Sequence, residues 1–428
     1  MFPMAHENQD RRSFLKTAAA RATAGAGATA GASFAAGQTL LADEAKGANE
    51  RLGVGFIGTG GRCGAHINIV NNLKKQGLVE PVAVCDIYGP QLRAASKATG
   101  DTTMYRAHEE LLQDPKVDVV CIASPDRHHA PQALDAVRAG KDVYCEKPLT
   151  HWSQFDLAKK LAAEADKHKR IVQVGTQYMA DDNYATVRKM IAEGIVGKPV
   201  HVELGYYRRG DWGERMNIPD ANAKPGPDLD WQRFLGDAPQ VPFSVSRFFQ
   251  WRLFWDYAGG PSTDLLVHMF TPVFCLLGLD FPHRVLGGGG TFQYDREVPD
   301  QCNIIADYPD GPSVVMMNTL SNHVPTDTKI RCTDGIIMWK MLGSRDCKGI
   351  RIVPFGKDKK EIFLPWAGMG DTSRLWSNLI ECVKTRKQPY SPISAAVRVQ
   401  APLSMAIIGH RENKVTMFDR DTETIRLS

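Results

Sequence analysis

The sequence predicts an α/β domain on a doubly wound parallel sheet, followed by an α+β domain on a large, mostly antiparallel sheet. Three observations lead there. An apolar strand runs directly into a glycine-rich turn over residues 52–60. Short apolar runs then alternate with helical segments as far as Gly175. Beyond residue 177 the alternation gives way to hairpin-like strands bracketed by helices. The 428 residues also exceed what one hydrophobic core ordinarily serves.

Residues 1–45 read as a leader and linker. Arg11-Arg12 followed by Ser13, Phe14, Leu15 and Lys16, then a small-residue, weakly apolar stretch, resembles a twin-arginine export signal. Asp10 stands where Ser or Thr is more usual, and Arg21 interrupts the apolar part. The expectation is export of a folded protein to the periplasm or an equivalent space through the twin-arginine machinery. Elsewhere no stretch approaches the roughly 18 apolar residues a bilayer span requires.

The first domain, residues 50–176, opens with a strand over Leu52–Ile57 that turns at Gly58. Gly58 and Gly60 supply the first two glycines of a G-x-G-x-x-G turn, with Cys63 in the third place. Such a turn lets a pyrophosphate approach the backbone at a helix N-terminus. The second strand, VEPVAVCD, ends in Asp86, 26 residues after Gly60. A carboxylate there accepts the hydroxyls of an adenosine ribose and repels a 2′-phosphate, favouring NAD over NADP. A helix at 89–99, a strand at TTMYR and a helix at AHEELLQD follow. Then come the strand VDVVCIAS, a helix ending at Gly140, the strand KDVYCE, a helix from Ser153 and the strand RIVQVG. Glu146 and Lys147 stand at a strand carboxyl end, where ligands of such sheets bind.

The second domain, residues 177–428, begins with the helix NYATVRKMIAEG and the strand KPVHVELGYYRR. An aromatic-rich connection covers Asp211–Tyr257, and strands are expected at 284–294, 301–308, 313–320, 329–341 and 350–364. Helices near 371–386 and 394–411 close the domain. The Gly287–Gly290 run reads as a strand bulge or bend, since no helix follows it. In GGPSTDLLVH, Asp264 and His268 are four residues apart, so a regular helix brings their side chains together. A carboxylate beside an imidazole raises its pKa and orients it as a general base.

Composition narrows the function classes. The chain is 43% hydrophobic and 23% charged, with a net charge of +4. Residues 1–42 hold four basic and two acidic side chains, leaving 48 against 46 in the rest, a balance unlike a nucleic-acid or membrane-surface binder. Nine cysteines without C-x-x-C spacing argue against a disulfide framework or a zinc site. His128-His129 has nothing nearby to complete a metal ligand set.

Taken together, G-T-G-G-R-C-G-A-H at 58–66, SPDRHH at 124–129, AGKDVYCEKPLT at 139–150, VQVGTQ at 172–177, GGPSTDLLVH at 259–268 and REVPD at 296–300 carry a resemblance. From about residue 52 onward the chain resembles the glucose–fructose oxidoreductase/inositol dehydrogenase (Gfo/Idh/MocA) family. The resemblance implies a Rossmann domain, NAD as cofactor, and an open second sheet that mediates a homo-dimer or homo-tetramer. It places the catalytic residues at Lys147, Asp264 and His268, with a cis Lys147–Pro148 peptide. Cofactor contacts fall on Gly58, Thr59, Gly60, Gly61, Arg62, Cys63, Asp86, Ser124, Pro125, His129, Glu146, Lys147 and Gln177. Met179 stands where many relatives have arginine after GTQ.

The implied chemistry is hydride transfer between a carbinol carbon of a sugar or polyol and nicotinamide, with no metal. His268 takes the hydroxyl proton, Asp264 orients His268, and Lys147 stabilises the developing alkoxide. Trp212, Trp231, Trp251 and Trp255 cluster in the long connection with Arg208, Arg209, Arg252 and Tyr257 close by. Flat aromatic faces with polar neighbours suit sugar rings, and they equally suit anchoring of a long loop. Substrate contacts are expected at Tyr178, Arg208, Trp251, Arg252, Trp255, Asp264 and His268. The alternative is a glycoside hydrolase of the same family, in which transient oxidation of a ring hydroxyl permits elimination. A non-catalytic sugar- or NAD-binding protein is the third reading. An exported enzyme with tightly held NAD needs a second substrate to recycle the cofactor.

Overall fold

The computed structural model describes residues 51–210 and 217–428. The expected export signal and linker at 1–45, and Trp212, lie outside the described residues. The first sheet has six strands, all parallel, in the order β3-β2-β1-β4-β5-β6. These are β1 (Leu52–Ile57), β2 (Val79–Cys85), β3 (Thr103–Tyr105), β4 (Val119–Ile122), β5 (Asp142–Cys145) and β6 (Val172–Val174). The helices between them are α1 (Gly61–Lys75), α2 (Gly89–Thr99), α3 (His108–Gln113), α4 (Asp126–Arg138) and α5 (Phe155–Lys167).

Both faces of this sheet are covered. Val120 and Ile122 enter one apolar cluster, whereas Val119 and Cys121 of the same strand enter another. That two-sided burial explains why the central strands read as continuous apolar runs without alternation. The strand order reverses between β1 and β4, so a crevice opens beyond their carboxyl ends. Gly58 and Glu146 follow β1 and β5 directly, and Ser124 lies two residues beyond β4.

The second part starts with α6 (Asn183–Ala192) and the long strand β7 (Pro199–Arg209). The connection carries α7 (Trp231–Leu235) and α8 (Val245–Phe249), and a π-helical turn at Ser262–Leu266 leads into α9 (Val267–Leu277). Then come β8 (Arg284–Gly290), β9 (Gln301–Asp307), β10 (Ser313–Thr319), β11 (Ser321–Asn322), β12 (Thr328–Cys332), β13 (Gly335–Trp339), β14 (Gly349–Pro354) and β15 (Ile362–Pro365). The elements α10 (Thr372–Thr385), α11 (Ile393–Glu412), β16 (Thr416–Asp419) and β17 (Thr424–Leu427) complete the order. This sheet has eleven strands, β15-β14-β13-β12-β7-β10-β9-β8-β16-β17, with β11 beside β7. β7 and β10 pair in parallel, and the other pairs are antiparallel.

Three expectations about this sheet are corrected. The single strand expected at 329–341 is a hairpin, turning at Thr333-Asp334 ahead of Gly335. The stretch 350–364 is likewise two strands, joined through the polar run GKDKK. Gly287 lies within a continuous strand, not a bend. A Cβ there would sit 2.0 Å from the Ala406 carbonyl oxygen, so its glycine admits the backbone of α11 against the sheet.

Candidate active site

Gly58 has φ of +77°, and a Cβ on it would lie 2.6 Å from the Ser124 amide nitrogen. Only glycine fits this turn. Gly60 caps α1 and Gly61 opens it, with no acidic residue in the first turn and open space beside Gly61. The turn therefore presents free-standing backbone of a helix N-terminus, which suits a pyrophosphate. The Asp86 carboxylate closes this turn from β2. It accepts from Thr59 N at 2.6 Å, Thr59 Oγ1 at 3.0 Å and Tyr88 N at 2.8 Å. Burial raises its pKa against these three bonds. A carboxylate has about four acceptor positions, so capacity remains for a ribose hydroxyl. These residues fit the adenosine-pyrophosphate half of NAD.

Cys63 does not face that crevice. It is fully buried against Cys121 of β4, as the third glycine of such turns is where helix and strand pack closely. Ser124 Oγ donates to Gln132, and Pro125 caps α4. His129 lies between Pro148 O at 2.7 Å and Ser124 O at 2.8 Å, joining the carboxyl ends of β4 and β5.

The centre of the site is the run that follows β5. Glu146 is buried, and its Oε1 accepts from Arg62 Nε at 2.8 Å. His66 Nε2 is 2.9 Å from the same oxygen. Trp376 of α10 donates its indole N–H to His66 Nδ1 at 3.0 Å. An indole nitrogen can only donate, so His66 carries its proton on Nε2 and gives it to Glu146. Burial alone would raise the Glu146 pKa, but Arg62 and His66 hold it well below the usual carboxylate range. His66 and Trp376 had no expected role. The sequence signal for His66 was a histidine on the sheet-facing side of α1, and for Trp376 there was none.

The Lys147–Pro148 peptide is cis. Lys147 Nζ donates at 2.7 Å to both the backbone oxygen and Oδ1 of Asp264. Two of the three ammonium N–H groups are thus directed by Asp264, leaving one for a substrate oxygen. The expected Asp264–His268 contact gives way to this ion pair. Asp264 falls in the π-helical turn and His268 in the α-helix after it, so regular i,i+4 stacking is lost. His268 is buried with Nδ1 unbonded, its ring 5.5 Å from that of Tyr178. The expected rise in its pKa is reversed: burial, then the Lys147 charge, bring it down to about 3. The imidazole is neutral and able to accept a proton.

A cleft of about 270 Å³ borders the pair, lined by Asp126, Arg252, Asp264, Arg296 and Leu320 among others. Arg252 Nε is 3.9 Å from Asp264 Oδ1, and its guanidinium lies 4.1 Å from the Trp251 ring centre. Arg296 of the REVPD run donates to the Arg252 carbonyl oxygen at 3.1 Å, joining two segments 44 residues apart. Gln177 and Tyr178 form a 3₁₀ turn beside His268, and Arg208 is buried near the end of β7. The tryptophans divide. Trp231 stacks on Phe234 in an apolar cluster with Tyr88 and Tyr257, which is loop anchoring. Trp255 meets Trp152 edge-on, and Arg411 lies over both rings.

Among the described residues no cluster of His, Cys, Asp and Glu suits a metal ion, and no helix is long and apolar enough to cross a membrane.

Comparison with known proteins identifies the family and the fold. Residues 52–176 match the oxidoreductase family profile for an NAD-binding Rossmann fold, and residues 181–426 match the C-terminal alpha/beta domain of the same family. Inositol 2-dehydrogenase of Rubrobacter xylanophilus is 34% identical over 167 residues, 39% of this chain and under half (46%) of that enzyme. Inositol 2-dehydrogenase of Gluconacetobacter diazotrophicus is 30% identical over 298 residues, 66% of this chain and 82% of that enzyme. A levoglucosan dehydrogenase solved with NADH superposes with a TM-score of 0.66 at 18% identity, over 86% of this chain and 98% of that one, a likeness of fold. With both of its domains matched in order, the chain belongs to the Gfo/Idh/MocA family of oxidoreductases, with an NAD-binding Rossmann domain at its N-terminal side.

Proposed function

We propose that the protein oxidises a carbinol carbon of a sugar or cyclic polyol, or reduces the corresponding ketone, with NAD. The observation that carries this reading is the Lys147–Asp264 ion pair beside a neutral, buried His268 at the carboxyl end of β5. Bound nicotinamide would supply the hydride acceptor. His268 accepts the hydroxyl proton, and Lys147 donates a hydrogen bond to the same oxygen as negative charge builds there. Asp264 acts through Lys147, holding the ammonium in place. Glu146, kept ionised by Arg62 and His66, positions the backbone that carries Lys147, to whose N–H it lies 3.3 Å away. Arg252, which lines the cleft beside Asp264 and lies over Trp251, and Tyr178, which stands against His268, are the substrate contacts this reading favours. The inositol dehydrogenase relatives support a polyhydroxylated ring as substrate. Asp86 favours NAD over NADP.

Export through the twin-arginine route is part of the proposal and rests on Arg11-Arg12 and the small-residue stretch after them. Assembly into a homo-dimer or homo-tetramer is supported by apolar side chains exposed on the second sheet, where Leu286 and Ile305 pair across β8 and β9 and Phe363 stands on β15. Sedimentation as a monomer at micromolar concentration would refute that part.

The test is incubation with NAD and a panel of inositols, aldoses and aryl glycosides, followed by absorbance at about 340 nm and product analysis. NADH formation with a recovered ketone or lactone is expected. Aglycone release without net NADH would replace this reading by the redox-assisted hydrolase.

A further inference from the structure

The connection after β7 does more than join two halves. Residues 217–238 span the carboxyl ends of β2 and β4, the two strands on either side of β1 and its glycine turn. On the β2 side, Leu229 forms an antiparallel bridge with Tyr88, two residues beyond Asp86. Gly89 N donates to Asp228 O at 2.8 Å, and Asp230 N donates to Ile87 O at 3.2 Å. Side chains add to this, with Tyr88 Oη donating to Asp220 at 2.9 Å and Arg93 to Asp228 at 2.9 Å.

On the β4 side the same segment is tied to the first residues of α4. His128 Nε2 donates to Phe234 O at 2.7 Å. Arg127 Nε donates to Asp237 Oδ1 at 2.7 Å, and its Nη2 to Asp237 O at 3.2 Å. Between the anchors, Leu229, Trp231, Phe234 and Leu235 are buried in one aromatic cluster with Tyr88. A strap with this many backbone bonds and a buried apolar side opens rarely.

In an open sheet of this kind, the loops after β2 and β4 flank the adenosine end of a dinucleotide. We propose that the strap over residues 217–238 closes the adenosine end of the NAD site, so that the nucleotide stays bound through successive turnovers. This rests on the NAD-dependent reading above. It deepens that reading, because a retained cofactor makes the protein return each hydride to a second substrate or to the same one.

The test is nucleotide exchange in the full chain. Protein loaded with NADH is mixed with a large excess of NAD, and loss of bound-NADH fluorescence is followed and compared with kcat. Exchange slower than turnover is expected in the wild type. Arg127→Ala, which removes one of the two β4-side anchors and leaves His128 on the Phe234 carbonyl, is expected to exchange about tenfold faster while still melting as one cooperative transition. Wild-type exchange faster than turnover would overturn the strap while leaving the NAD reading intact. Binding of NADH by Arg127→Ala but not by the wild type would also overturn it, because the strap would then exclude the nucleotide. Failure of both to bind NADH in calorimetry would overturn the NAD reading itself.

Discussion

At the scale of single residues, the decisive feature is which partner Asp264 takes. The aspartate, the histidine and the lysine were legible as candidates, but their pairing was not. Four-residue spacing promises a contact only in a regular α-helix, and a π-helical turn at Ser262–Leu266 removes that promise. The carboxylate turns to Lys147 instead, and burial keeps His268 neutral. His268→Asn is therefore expected to lower kcat by about 10²–10⁴-fold while NAD binding, measured calorimetrically, is kept. An unchanged kcat would remove His268 from the role of base. Because His268 titrates at about 3, kcat/KM should be flat between about pH 5 and pH 7. An acidic limb near 6.5 would mean that the imidazole is solvated in the working enzyme.

At the scale of elements, the first sheet was readable almost strand by strand, because parallel strands buried on both faces leave unbroken apolar runs. The second sheet was less so. Asp334-Gly335 carried the turn signal for the β12–β13 hairpin, yet continuous apolar residues on both sides masked it. The hairpin β16–β17 was not expected at all: its two strands are four residues each and lie beyond the final helix. The link from α10 to the site was likewise invisible, since it joins residues 310 positions apart. Trp376→Phe tests that link. The ring keeps its stack on Tyr144, at 4.9 Å and 6°, but the donor to His66 is lost. A buried acceptor left without a partner costs about 1–3 kcal/mol, to be read from urea unfolding. Stability equal to wild type would show that the Trp376–His66–Glu146 chain contributes packing only.

At the scale of the whole molecule, several histidines are buried neutral, and this sets the response to acid. His268 and His151 both come down from an ordinary 6.5 to about 3, chiefly through burial. The unfolded chain therefore binds protons that the folded chain refuses, and stability rises with pH between those values. It is complete above about pH 6.5 and lost as the pH falls, by up to about 3 kcal/mol per pH unit for the two together. Glu146 acts lower, because its depressed pKa withdraws stability only below the ordinary carboxylate value of 4.5. A melting temperature that does not change from pH 6.5 to pH 4.5 would contradict the neutral burial of both rings. The central claim is hydride transfer to NAD at the Lys147–His268 site. Its most direct test is a single turnover of the NAD-loaded protein, without a second acceptor, using the most active sugar or polyol of the panel deuterated at its carbinol carbons, with mass analysis of the nucleotide afterwards. The expected result is one deuterium on the nicotinamide ring for each ketone formed. Ketone formed with no deuterium in the nucleotide would contradict the account.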